Sequence, residues 1–155
     1  NHKWINKLAP ETLLQLCIPF LAPVFPEVTT QPLHTVQFAL QKISSEMITL
    51  QDCVELLAFY FATPVCSKAH AHALTTPENI TALTQIIEQA SMQPDKSTFL
   101  STLKFGITAA KIPNKEAFMY IRYLLTGSEK GLAIADLIEI LEYTIIKKRV
   151  AANIK

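Results

Sequence analysis

Nine prolines and only three glycines punctuate this 155-residue chain, and between them apolar side chains recur every three or four residues. That spacing is helical. No alternation of apolar and polar residues is long enough for a strand, and no Asn-Gly or Asp-Gly pair offers a hairpin turn. Proline fixes φ and lacks an amide hydrogen, so it suits the first turn of a helix and disturbs the interior. The pattern predicts an all-α fold, a helical bundle region made of two small subdomains.

Local signals place the helices. Pro10 with Glu11 starts one that reaches about Leu21 unless Pro19 kinks or ends it early, and a proline-rich loop, Pro23 to Pro32, follows. Leu33, Val36, Leu40 and Ile43 share one helical face. Thr49 with Asp52 resembles a capping box opening a helix from Leu50 to Ala62, which Pro64 closes. A short helix fits Ser67 to Leu74. Thr76 and Pro77 read as cap and first position of a helix running to about Ser91. Residues 96–105 form a helix that Gly106 can end in a left-handed cap, and Asn114 to Thr126 form another that Gly127 ends in the same way. Two more fit Ala133 to about Tyr143 and Thr144 to Ile154. The breakers between Leu74 and Pro77 divide the chain into a first subdomain, 1–75, and a second, 76–155.

The chain is 50% apolar and 17% charged, which favours a buried interior over disorder. Its longest apolar runs fall short of the roughly 20 residues that span a bilayer, and no signal-peptide pattern opens it. The expectation is a monomer in the cytoplasm with no membrane partner. Cys17, Cys53 and Cys66 are odd in number and lack C-x-x-C spacing, which favours reduced core thiols over disulfides or zinc.

Little here promises catalysis. Cys66 and His70 sit four apart on the expected short helix, with His72 nearby, but no third group lies at hand to complete a nucleophile or a metal site. There is no Gly-rich phosphate loop, H-E-x-x-H or G-x-S-x-G. Neither catalytic residues nor metal ligands are expected in this chain.

Charge is informative in its distribution. Residues 1–103 carry five lysines against eight carboxylates, whereas residues 104–155 carry seven lysines and two arginines against five. The basic end points to an anionic partner or to a solvated face. One of those arginines, Arg122, stands in the apolar stretch MYIRYLLTG. A guanidinium keeps its charge, so it must snorkel, pair, or await a ligand. A salt bridge to Asp136 or Glu139, pinning adjacent helices, is one way to pair it.

The order of residues in MYIRYLLTGSEKGLAIADLIEIL, with the later Arg149, resembles the C-terminal signature of bacterial-type glutamyl-tRNA synthetases. Arg122, Leu125, Thr126, Gly127, Leu137 or Ile138, Leu141 and Arg149 carry the match. The opening NHKWINKL and TLQDCVELLAFYF, Thr49 to Phe61, agree in order and spacing.

The resemblance implies an all-helical anticodon-binding region. Its partners would be the anticodon loop of glutamate tRNA and the catalytic domain of the same parent chain. It implies no cofactor here; ATP and Mg belong to that catalytic domain, whose His-x-Gly-His and Lys-Met-Ser-Lys-Ser-like motifs are absent from this sequence. In the family, the arginine matching Arg122 and the turn and helix start matching Gly131, Leu132 and Ile134 touch the central anticodon bases. Glu46 occupies a position where the family often has an arginine for the last base, Leu132 replaces an expected proline, and Glu142 an expected glycine. Single-stranded RNA is read by stacking and by hydrogen bonds to splayed bases, for which Arg122, Tyr120 and Tyr123 are suitable types. Lys104, Lys111, Lys115, Lys130, Lys147 and Lys148 suit phosphate contacts. The alternative is a helical interaction module that kept the fold and lost RNA binding.

Overall fold

A computed structural model describes residues 2–30 and 32–154; Gln31, within the proline-rich loop, lies outside them. Ten α-helices and three short 3-10 turns are present, with no strand among the described residues. The chain forms two compact units, Asn1–Ala62 and Thr63–Lys155.

In the first unit, α1 (Pro10–Leu21) packs on α2 (Leu33–Ile43). Pro19 lies inside α1, and the helix still continues to Leu21. Leu13, Leu14, Cys17 and Leu21 from α1 join Val36, Ala39, Leu40 and Ile43 from α2 in the core. The single helix expected from Leu50 to Ala62 is instead two, α3 (Asp52–Leu56) and α4 (Ala58–Phe61), separated by buried Leu57 at φ −99°, ψ 0°. Asp52 works backwards as a cap. Its carboxylate accepts from the amides of Ile48 and Thr49 and from the Thr49 hydroxyl, at 2.8 to 3.0 Å, which tightens the turn before α3 rather than extending the helix.

The second unit holds α5 (Lys68–Leu74), α6 (Pro77–Ser91), α7 (Lys96–Ala109), α8 (Asn114–Thr126), α9 (Ile134–Ile140) and α10 (Tyr143–Asn153). The cap expected at Thr76 is in place, its side chain accepting from the Asn79 amide, and Ser67 and Asp95 cap α5 and α7 in the same way, accepting from the amides of His70 and Thr98. The break expected at Leu74–Pro77 is an internal corner of this unit. Thr75 is buried and donates to the Glu116 carboxylate at 2.8 Å, and α5 packs on α8. The division between units therefore falls between Ala62 and Thr63, earlier than the 75/76 boundary read from the breakers.

Gly106 does not end α7. It sits within that helix because α6 and α7 approach too closely for a side chain: a Cβ there would lie 2.7 Å from Ile86 Cγ2. The helix ends one turn later, where Lys111 takes φ 57°. The Lys111 amide donates to the Thr108 carbonyl and the Ile112 amide to the Ile107 carbonyl, a Schellman arrangement with Ile112 buried behind it. The last two helices are shorter than or offset from expectation. α9 spans Ile134–Ile140, and α10 begins at Tyr143, whose hydroxyl donates to the Gln93 carbonyl at 2.7 Å.

Candidate nucleic-acid interface

The C-terminal end of α8 and the turn from Gly127 to Ala133 are braced by side chains from several elements of the second unit. A helix leaves its last four carbonyls without intrahelical donors, and here side chains from three directions supply donors to three of them. Cys66 Sγ donates to the Tyr123 carbonyl at 3.1 Å, Asn153 Nδ2 to Leu124 at 3.1 Å, and Arg149 Nη1 to Leu125 at 2.7 Å. The Thr126 hydroxyl donates back to the Arg122 carbonyl at 2.9 Å. Gly127, at φ 76°, closes the helix by donating its amide hydrogen to the Tyr123 carbonyl at 2.8 Å, as expected for a left-handed cap. Arg149 is buried, and desolvation lowers its pKa.

Arg122 is half-buried and paired with backbone, not with a carboxylate. Its Nε donates to the Leu132 carbonyl and its Nη1 to the Glu129 carbonyl, both at 2.8 Å. The ion pair considered with Asp136 or Glu139 is thus replaced by a fork that spans the turn. One rigid guanidinium reaching two carbonyls three residues apart fixes the curvature of the loop. Nη2 has no partner among the described residues. Gly131, at φ 121°, is exposed, and a Cβ there would meet nothing within 4 Å. Its own N–H and C=O bond to nothing among the described residues, so a base edge placed here would find an unoccupied donor and acceptor.

Other expected contacts are placed differently. The side chains of Leu132 and Ile134 are 8% and 5% exposed. They are core residues that anchor the turn from beneath, which leaves the backbone, rather than those side chains, available to a ligand. Tyr120 and Tyr123 are buried as well; Tyr123 Oη accepts from the Ser67 amide at 2.8 Å, so neither ring is open for stacking on a base. Glu46 is exposed in a 3-10 turn of the first unit. Lys104, Lys111, Lys115, Lys130 and Lys148 are exposed, and Lys147 lies over the Tyr143 ring at 4.6 Å.

The cysteines carry no reactive arrangement. Cys17 and Cys53 are buried in the first unit, where the neighbouring Cys17 thiol and desolvation push the Cys53 thiol far up. Burial also raises Cys66. His70 turns away from it to Glu129, with Nε2 3.0 Å from Oε2. Sequence reasoning missed this pair, because residues 59 apart give no local signal of contact. Among the described residues, no helix is long and apolar enough to cross a membrane.

The chain is 26% identical over 154 residues to glutamate–tRNA ligase 1 of Fervidobacterium nodosum, covering 97% of this chain and 30% of that protein. The crystal structure of a glutamate tRNA ligase from Elizabethkingia meningosepticum, in complex with its amino acid, superposes with a TM-score of 0.76 at 17% identity; it covers 99% of this chain and 30% of the other. The chain thus spans about a third of the length of these relatives. A family model described as an anticodon binding domain matches residues 12–154, and the chain belongs to that anticodon-binding domain family.

Proposed function

We propose that this chain is the anticodon-reading region of a glutamate–tRNA ligase. In this reading it holds the anticodon loop of glutamate tRNA while a catalytic domain of the same parent chain, using ATP and Mg, joins glutamate to the far end. The observation that carries the reading is the turn after α8. It is braced by Arg122, exposes the backbone of Gly131, and leaves Nη2 of the guanidinium without a partner among the described residues. Single-stranded bases are read by such edges and by flat cationic side chains.

The roles divide by chemistry. Gly131 and the Arg122 guanidinium contact base edges. Leu132 and Ile134 position that backbone from the core. Lys104, Lys111, Lys115, Lys130, Lys147 and Lys148 contribute salt-sensitive phosphate attraction, which adds affinity without sequence preference. In the first unit, Glu46 accepts from a base amino group instead of donating as an arginine would.

Cross-linking tests the placement. A photoreactive uridine in the anticodon loop of glutamate tRNA is expected to label the peptide containing residues 127–133. Labelling that leaves this peptide untouched at saturating RNA would overturn the reading.

A further inference from the structure

The turn after α8 is fastened a second time, from α5. Glu129 is the link. Its carbonyl accepts from Arg122 Nη1 at 2.8 Å while its carboxylate lies 3.0 Å from His70 Nε2. The His70 ring also leans on Tyr123, with centroids 4.7 Å apart.

The segment leading to His70 is itself tied to the end of α8. Cys66 Sγ donates to the Tyr123 carbonyl, and the Ser67 amide donates to Tyr123 Oη. The Ser67 side chain then caps α5 at the His70 amide. A Cβ on Gly127 would lie 3.0 Å from Pro64 Cβ. Residues 64–70 therefore form a backing against which the turn rests, and His70 is its one titratable contact with the turn's own carboxylate.

We propose that His70 is a positioning residue for the RNA-reading turn, holding it through the Glu129 carboxylate. The inference rests on the anticodon reading proposed above for the consequence in RNA binding, but the clamp is a property of the free chain. The groups that face His70 are the Glu129 carboxylate from the turn and the Tyr123 ring and hydroxyl from α8. Lys68 and His72 are its charged neighbours on α5, and Lys130 follows Glu129. The two partners are 47% and 36% exposed, so solvent screens the pair. Its effect is a factor of about two to five.

Amide hydrogen exchange of the free chain, corrected for intrinsic rates, reads the clamp directly. Residues 127–133 are expected to be about two- to fivefold more protected in the wild-type chain than in His70→Ala or Glu129→Ala, while α6 and α7 exchange as before. His70→Gln, which can still donate to the carboxylate, loses less. The double variant is no worse than either single one, because both break the same contact.

Identical exchange in the wild type, both alanine variants and the double variant overturns the proposal. A second arm measures affinity for the glutamate tRNA anticodon stem-loop, which each alanine variant is expected to bind about two- to fivefold more weakly. If the wild-type chain binds the stem-loop and the variants bind equally well, positioning is overturned. If exchange behaves as expected and no chain binds the stem-loop, the clamp is upheld and the RNA reading fails instead.

Discussion

Arg122 Nε donates to the Leu132 carbonyl across the Gly127–Ala133 turn at 2.8 Å, and the same guanidinium reaches Glu129. Charged hydrogen bonds of this kind contribute about 2 kcal/mol when part-buried, and losing the donor leaves two carbonyls to find other partners. Arg122→Ala is expected to lower the unfolding free energy of the second unit by about 2 to 3 kcal/mol, read by urea denaturation. Arg122→Lys recovers less than half of that, since one ammonium cannot reproduce the planar fork. Equal stability of all three chains would contradict the bracing role.

Gly106 offers a sign test for packing against propensity. Alanine is worth about 1 kcal/mol over glycine inside a helix, yet its Cβ would lie 2.7 Å from Ile86 Cγ2, and a β-branched side chain cannot swing aside easily. Gly106→Ala is expected to lower Tm. Combining it with Ile86→Ala should give less destabilisation than the two single changes added together. A raised Tm for Gly106→Ala alone would show that α6 and α7 tolerate separation there.

Acid sensitivity follows from Asp95, the cap of α7. Hydrogen bonds from the Thr98 amide and hydroxyl hold its carboxyl below the usual aspartate range. A depressed folded pKa stabilises the fold above the unfolded value and loses that contribution as pH falls through the folded one. Between about pH 4 and pH 2, therefore, the wild type should lose Tm more steeply than Asp95→Asn, which still caps the helix but does not titrate in this range. Parallel curves for the two proteins would rule this out.

The thiols give a check on the core. Cys17 and Cys53 are buried and Cys66 is half-buried with a raised pKa. Since the thiolate is the reacting form, native protein at pH 7.5 should label slowly at Cys66 and not at the other two, and all three should react once unfolded. A rapidly labelled thiol in native protein would revive the Cys66–His70 chemistry that the geometry argues against.

Much of the fold was legible because its signals are local. Pro10, the Thr76–Pro77 pair, Asn114 and Gly127 mark helix ends through their own backbone chemistry, and the structure places those ends at the same residues. What local reading misjudged depends on partners distant in sequence. Gly106 looked like a stop because its role is to admit Ile86. The break between α3 and α4 falls at Leu57, a side chain buried in the core of the first unit. Leu74 to Pro77 looked like a boundary because nothing nearby announces that Thr75 bonds Glu116. The candidate site divides in the same way. Arg122 and Gly131 stood out in sequence, but the fork to two carbonyls, the inward turn of Leu132, Ile134 and both tyrosines, and the His70–Glu129 pair all arise from tertiary packing.

Affinity for transcripts of glutamate tRNA with native and exchanged anticodons, each at 50 and 200 mM salt, tests the central claim most directly. The expected result is tightest binding to the native anticodon, about tenfold weaker binding for each central base replaced, and a uniform loss of affinity at the higher salt. Equal affinity for every anticodon, or no binding even at low salt, would contradict it.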